Sequence, residues 1–155
     1  MSLYLEVRIG AERYLLDAAR ILEIRPIARD GAVYWQDRAA TVVDLRQLFE
    51  ESAAAPGCVV LYGQTSGDAA ALLVDRADGL VERGDADFCP LPPIGPVGLL
   101  IDAMSTRSGE DANARPMLRL RGERALSVAA ACGVAGVPAP ATAAGDAITA
   151  AVPAR

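Results

Sequence analysis

Val42-Val43-Asp44-Leu45-Arg46-Gln47-Leu48-Phe49-Glu50 and Ala71-Leu72-Leu73-Val74-Asp75-Arg76-Ala77-Asp78-Gly79-Leu80-Val81-Glu82 decide how this chain is read. Each contains an apolar, strand-like run that stops at an aspartate, Val43-Asp44 in the first and Val74-Asp75 in the second. An aspartate directly after a strand tends to close it, because its carboxylate accepts the backbone amides of the turn or helix that follows. Two such closures imply a two-part chain of short strands.

The surrounding sequence agrees. Leu3, Leu5, Val7 and Ile9 alternate with Tyr4, Glu6 and Arg8, the period of a half-buried strand. Gly10-Ala11 turns the chain, and Tyr14-Leu15-Leu16 returns as a hairpin partner. Asp17 is placed to cap one helical turn by accepting the amide of Ala19 or Arg20. Ile21, Leu22 and Ile24 then run extended until Pro26 ends the strand or confines it to an edge. Val33-Tyr34-Trp35 and the run from Ala39 to Leu45 form a second hairpin around Gln36-Asp37, followed by a short helical turn over residues 46–49.

Residues 51–57, ESAAAPG, break the pattern and mark a boundary. Beyond it, residues 59–62, 70–74 and 80–81 are strands. The proline stretch PLPPIGP (90–96) leads into an apolar run over 97–101, and residues 105–116 are a polar loop. Residues 117–120 make a last strand, and residues 123–132 are alanine-rich enough for a C-terminal helix. Residues 133–155 have an Ala/Pro/Gly/Thr composition without apolar period and are expected to be a disordered tail. This succession of short strands and turns predicts an all-β barrel or sandwich, with one domain over residues 1–132.

Composition narrows the function. The 155 residues suit one domain, or two very small ones sharing a core, and 52% are apolar. Net charge is −5, and the arginines are scattered among carboxylates. Nucleic-acid binding relies on a basic cluster that displaces counterions, so no nucleic-acid partner is expected. The absence of histidine excludes histidine-based triads, imidazole metal ligands and imidazole phosphoacceptors within the chain. Cys58, Cys89 and Cys132 are odd in number and widely spaced, which predicts reduced thiols and neither a disulfide framework nor a zinc site. No apolar run approaches the roughly 20 residues that span a bilayer, and MSLYLEVRIG lacks a basic-then-apolar signal. A soluble cytoplasmic protein without membrane insertion, metal or cofactor is expected.

Asp44, Asp75 and Asp78 are the candidate catalytic carboxylates. Acid–base work needs two groups in opposed environments within one cleft, whereas an aspartate after a β-run more often serves a turn. The cysteines lack a histidine base to make a thiolate. The segment GQTSGD (63–68) lacks the lysine and following helix of a phosphate loop and reads as a hairpin turn. The proline stretch could serve as a polyproline ligand, but joining two apolar runs makes it an internal connector. What remains is apolar surface: Ile21, Ile24, Tyr34, Trp35 and Leu45 are candidates for a partner-facing patch.

The blocks YLEVRIGAERYLLDAARILEIRP (4–26), VVDLRQLF (42–49), ALLVDRADGLVE (71–82) and MLRLRGERAL (117–126) resemble, in order and spacing, the CheW-like family of bacterial chemosensory coupling proteins. The resemblance implies two five-stranded SH3-like β-barrels sharing a core, about residues 1–56 and 57–132, with strand exchange between them. It implies a non-enzymatic adaptor joining the cytoplasmic tip of a methyl-accepting chemoreceptor to the regulatory domain of a CheA-type histidine kinase. The family's partner-facing surface carries over to Ile21, Glu23, Ile24 and Arg25, to Trp35 and Gln36 in the turn before VVDL, and to Ala77 and Leu80. Two departures stand out. The family usually writes that turn Asn-Leu-Arg-Gly, where this chain has Tyr34-Trp35-Gln36-Asp37, and the segment between Arg25 and Tyr34 is shorter than usual. A divergent CheW-like module holding another signalling protein is the alternative these changes imply.

Overall fold

The computed structural model of the chain describes residues 1–27, 32–51, 57–106 and 115–133, and the backbone of 137–138. In β1 (Ser2–Ile9), Leu5, Val7 and Ile9 are buried while Glu6 and Arg8 are half-buried, the alternation that a sheet with one wetter face requires. Gly10, with φ 61°, reverses the chain into β2 (Glu12–Asp17), and the register runs from Ile9 opposite Glu12 to Tyr4 opposite Asp17. Asp17 accepts the Ala19 N–H at 2.9 Å and caps a 3-10 turn at Ala18–Arg20.

β3 (Ile21–Arg25) follows directly. The expected second hairpin is present in shortened form. β4 (Tyr34–Trp35) pairs with β5 (Arg38–Ala39), and the turn residues Gln36 and Asp37 both take positive φ, 48° and 63°, as a type I′ turn demands. β6 (Thr41–Asp44) is a separate strand in another sheet. Its aspartate accepts the Arg46 N–H at 3.0 Å and so starts the one-turn α1 (Leu45–Leu48).

β7 (Cys58–Gly63) and β8 (Ala69–Val74) are the most buried strands. Val59, Val60, Leu61 and Tyr62 are all essentially inaccessible, so β7 is covered on both faces. The GQTSGD segment is their hairpin turn, with Gln64 N–H donating to the Asp68 carbonyl at 2.8 Å. β9 (Arg76–Arg83), β10 (Phe88–Pro90), β11 (Ile101–Ser105) and β12 (Leu118–Leu120) follow. The proline stretch links β10 to β11 internally: the Leu91 N–H donates to the Asp102 carbonyl at 2.9 Å, and Gly95–Gly98 forms the short α2. The expected C-terminal helix is α3 (Ala125–Ala131), entered through a 3-10 turn at Gly122–Arg124.

The described strands make a six-stranded sheet in the order β10-β11-β12-β2-β1-β9 and a two-stranded β4-β5 ribbon. The other sheet, five-stranded, runs β13-β6-β8-β7-β3, with β13 being Val137–Pro138. Pairing is antiparallel except for β12 with β2 and β6 with β8. The six-stranded sheet thus takes strands from both sides of residues 51–57. The mostly β expectation holds. The tail expected to be disordered contributes two residues to a sheet edge; its residues 134–136 and 139–155 lie outside the described residues.

The main core sits between the two large sheets. Leu5, Val7, Ile9 and Leu16 from one meet Val60, Tyr62, Leu72 and Val74 from the other, closed by Val128 and Ala129 of α3. The alternate residues Val59, Leu61 and Ala71 face a second cluster with Val33 and Ala40, covered by Ile27, Trp35 and Val42. Gln64, an expected turn residue, is buried because its amide ties that turn to the start of α3. Its Nε2 donates to the Gly122 carbonyl at 2.9 Å and its Oε1 accepts from the Leu126 N–H.

Candidate functional site

Among the described residues β3 is the outermost strand of its sheet, paired only with β7, and its sequence ILEIR is mostly exposed. Its register skips a residue: Ile21 lies opposite Tyr62 and Glu23 opposite Leu61. Leu22 is therefore the extra residue of a β-bulge, which re-aims side chains and blunts an edge. Ile21 packs against the main core. Leu22 and Ile24 stand 42% and 44% exposed, unusual for residues of this size. Glu23 and Arg25 pair with each other at 2.5 Å along the strand.

Two grooves flank this edge. The smaller, about 330 Å³, brings Ile24 and Arg25 together with Ala77 of β9, over a floor that includes Cys58 and Asp75. The larger, about 790 Å³, brings Trp35 and Gln36 together with Leu22 and Leu126. Leu80 lines neither groove; it is 58% exposed on β9, the edge strand of the six-stranded sheet, opposite Leu5. The segment around Ala77 and Leu80 is a strand with a bulge at Asp78.

Leu45 must be removed from the partner-facing set. It is 1% exposed, the first residue of α1, and belongs to the main core. The Asp44 cap turns the chain inward at that point, so the surface residue of this turn is Gln47. Leu22, by contrast, escaped the sequence reading because a bulge depends on the partner strand and leaves no local signal.

The two strand-ending aspartates meet at one cation. Arg46, 3% exposed, holds Asp44 through two contacts of 3.1 Å, Nε to Oδ1 and Nη2 to Oδ2, and reaches Asp75 Oδ1 with Nη1 at 3.4 Å. The hydrogen bond to Asp44 raises the guanidinium pKa despite the opposing effect of burial. Asp75 Oδ2 accepts the Gly10 N–H at 2.6 Å, pinning the first hairpin to the end of β8. Asp78 pairs with Arg76 and, at 3.6 Å, with Arg8. All three candidate carboxylates are thus engaged in structural contacts. Burial pushes the Cys58 thiol pKa up, against a weaker opposing hydrogen bond with the Ala77 backbone, which disfavours the thiolate. Among the described residues, no group of three or more Cys, Asp or Glu side chains could hold a metal ion.

A third polar cluster lies on the six-stranded sheet. Asp102 accepts from Arg119 at 2.8 and 3.0 Å and from Arg121 at 3.2 Å, and Arg119 also lies 4.6 Å over the Phe88 ring. Burial pushes the Asp102 pKa up, but the arginine hydrogen bonds outweigh it and leave the carboxyl below its ordinary value. A carboxyl with a lowered folded-state pKa contributes stability above its unfolded pKa and loses it as pH falls through the folded value. Chemical denaturation at several pH values should therefore show this contribution intact at pH 7 and falling away below about pH 4. Asp102→Asn should be less stable than the parent at pH 7 and lose less on acidification; an identical acid limb in both proteins would refute the assignment.

No protein-family model matches the chain, and no curated protein is significantly similar to it in sequence. Its structure is similar to the crystal structure of the scaffolding protein TtCheW from Thermoanaerobacter tengcongensis. The TM-score is 0.60 at 14% sequence identity, over 77% of this chain and 88% of that one. At that identity the likeness is one of fold, and the chain has a CheW-like, mostly β fold. No described helix is long and apolar enough to cross a membrane.

Proposed function

We propose that the chain is a non-enzymatic adaptor of the CheW-like kind, in which two five-stranded SH3-like barrels share a core. It couples the cytoplasmic tip of a methyl-accepting chemoreceptor to the regulatory domain of a CheA-type histidine kinase in the cytoplasm. The observation that carries this reading is an exposed apolar edge on a scaffold-like fold, where Ile24 and Arg25 of β3 meet Ala77 of β9 around one groove. A half-exposed isoleucine beside an arginine that Glu23 pairs, with Arg76 on the same groove, suits a protein interface with an apolar anchor and a polar surround. Leu80 and Leu22 extend the apolar surface to either side.

Ile24→Asp removes the anchor and places a charge where a partner must desolvate it. It should weaken binding to a CheA-type regulatory domain by at least about tenfold, roughly 1.4 kcal/mol, in calorimetric titration. Glu23→Arg should weaken it as well. Both positions are exposed, so thermal unfolding should stay close to that of the parent. Unchanged affinity in both variants would remove β3 from the interface.

A second reading, a divergent module with a different signalling partner, is favoured by the tight I′ turn at Gln36-Asp37, which carries no arginine. If Gln36→Arg confers or strengthens binding to a chemoreceptor tip, the coupling role gains; no effect favours the divergent module.

A further inference from the structure

Without β13, β6 would be an open edge of the five-stranded sheet. Val137 pairs opposite Val42 and Pro138 opposite Thr41, antiparallel. An antiparallel strand in this register points, at its C-terminal end, toward Ala40 and Ala39. Thr41, Ala40 and Ala39 are walls of the larger groove. β13 thus ends beside walls of a 790 Å³ groove, within the size range of about 300–1,000 Å³ typical of binding clefts.

The sequence that follows fits those walls. Residues 139–155, APATAAGDAITAAVPAR, are small and apolar apart from Thr142, Thr149 and two charges, Asp146 and Arg155. The groove presents Leu22, Trp35, Ala40 and Leu126, with Arg38 and Asp68 as its charged walls, one of each sign to match the segment. Sequestering an alanine-rich segment against Trp35 and Leu22 removes apolar surface from water on both sides.

We propose that this groove is the docking site of the chain's own C-terminal segment, residues 139–155, led into it by β13. A partner that approaches through Leu22, Trp35 or Gln36 must then displace that segment, whatever the partner is. The chain's one tryptophan, Trp35, reports on the groove directly. A chain ending at Pro138 keeps β13 and loses only the proposed occupant. Its Trp35 emission should shift to the red and its quenching by acrylamide should rise relative to the full chain. A synthetic peptide of residues 139–155 added in trans should reverse both changes saturably. Full-length Ile148→Asp, which puts a charge into the segment's apolar run, should reproduce the truncated state with unchanged far-UV circular dichroism. Emission and quenching that are the same in the full chain, the truncated chain and Ile148→Asp would overturn the proposal, as would a peptide without effect on the truncated chain. None of these readouts involves kinase or receptor, so their failure leaves the adaptor reading standing, and the reverse.

Discussion

Arg46→Met should lower the stability of this protein by about 3 kcal/mol, read as a reduced midpoint in urea unfolding with little change in slope. The guanidinium is 3% exposed and is gripped by two carboxylates, Asp44 and Asp75. Removing it leaves both acids facing each other without their cation, and the loss of a buried partner costs about 3–5 kcal/mol in comparable settings. The lower end applies because the two carboxylates keep some access to water, with side chains 25% and 21% exposed. Each also retains a backbone donor, the Arg46 N–H for Asp44 and the Gly10 N–H for Asp75. Arg46→Lys should fall between, since an ammonium cannot reproduce the two-point grip on Asp44. A variant as stable as the parent would mean that the cluster is decoration.

The second large effect lies at Gly57→Ala. A Cβ at this position would overlap the Asp75 carbonyl oxygen, which is backbone and cannot rotate away. The start of β7 or the junction of β8 and β9 must move to admit one methyl group. Overpacking of this kind costs about 1–3 kcal/mol, and contact with backbone places the expected loss near 3. Gly57 and Asp75 also line the smaller groove with Ile24 and Ala77. The same substitution should therefore weaken partner binding beyond what instability accounts for, measured with enough folded protein to saturate. Gly67→Ala is the control in the neighbouring hairpin: its Cβ meets nothing within 4 Å, and only the positive φ of 91° is strained. If both alanine variants melt alike, the close approach at Gly57 carries no special weight.

Much of this architecture was legible in local pattern. The Leu3-to-Ile9 alternation, the Gly10 turn, the Asp17 cap and the Gln36-Asp37 hairpin each depend on residues within a few positions of one another, and each is where the pattern put it. The structural role of Asp44 and Asp75 was also readable, but their shared cation was not, because Arg46 joins residues far apart in sequence. Long-range pairing escaped for the same reason: nothing in MLRL announces that β12 lies parallel to β2. Among candidate surface residues, Ile24 and Arg25 could be placed beside Ala77 only through family likeness. Leu45 was misplaced because an apolar residue after a cap has no periodicity of its own; the direction of the first helical turn decides that it points inward. Gln64 shows the converse. A polar residue in a turn reads as solvated until a distant carbonyl, that of Gly122, claims it.

The parallel contact of β12 with β2 has a bearing on how the chain comes off the ribosome. β1 and β2 are made first, yet their sheet is finished only by β9 to β12, with β12 just over a hundred residues later by position, Leu118 against Tyr14. Closing so long a loop costs entropy before any contact repays it, so topologies of this kind fold slowly. β3, β6, β7 and β8 can gather earlier, while the first hairpin waits with both of its outer edges unpaired. During synthesis that waiting hairpin is the element with open strand edges, and a probe of unfolding should see it gain protection only once β9 and β12 are in place.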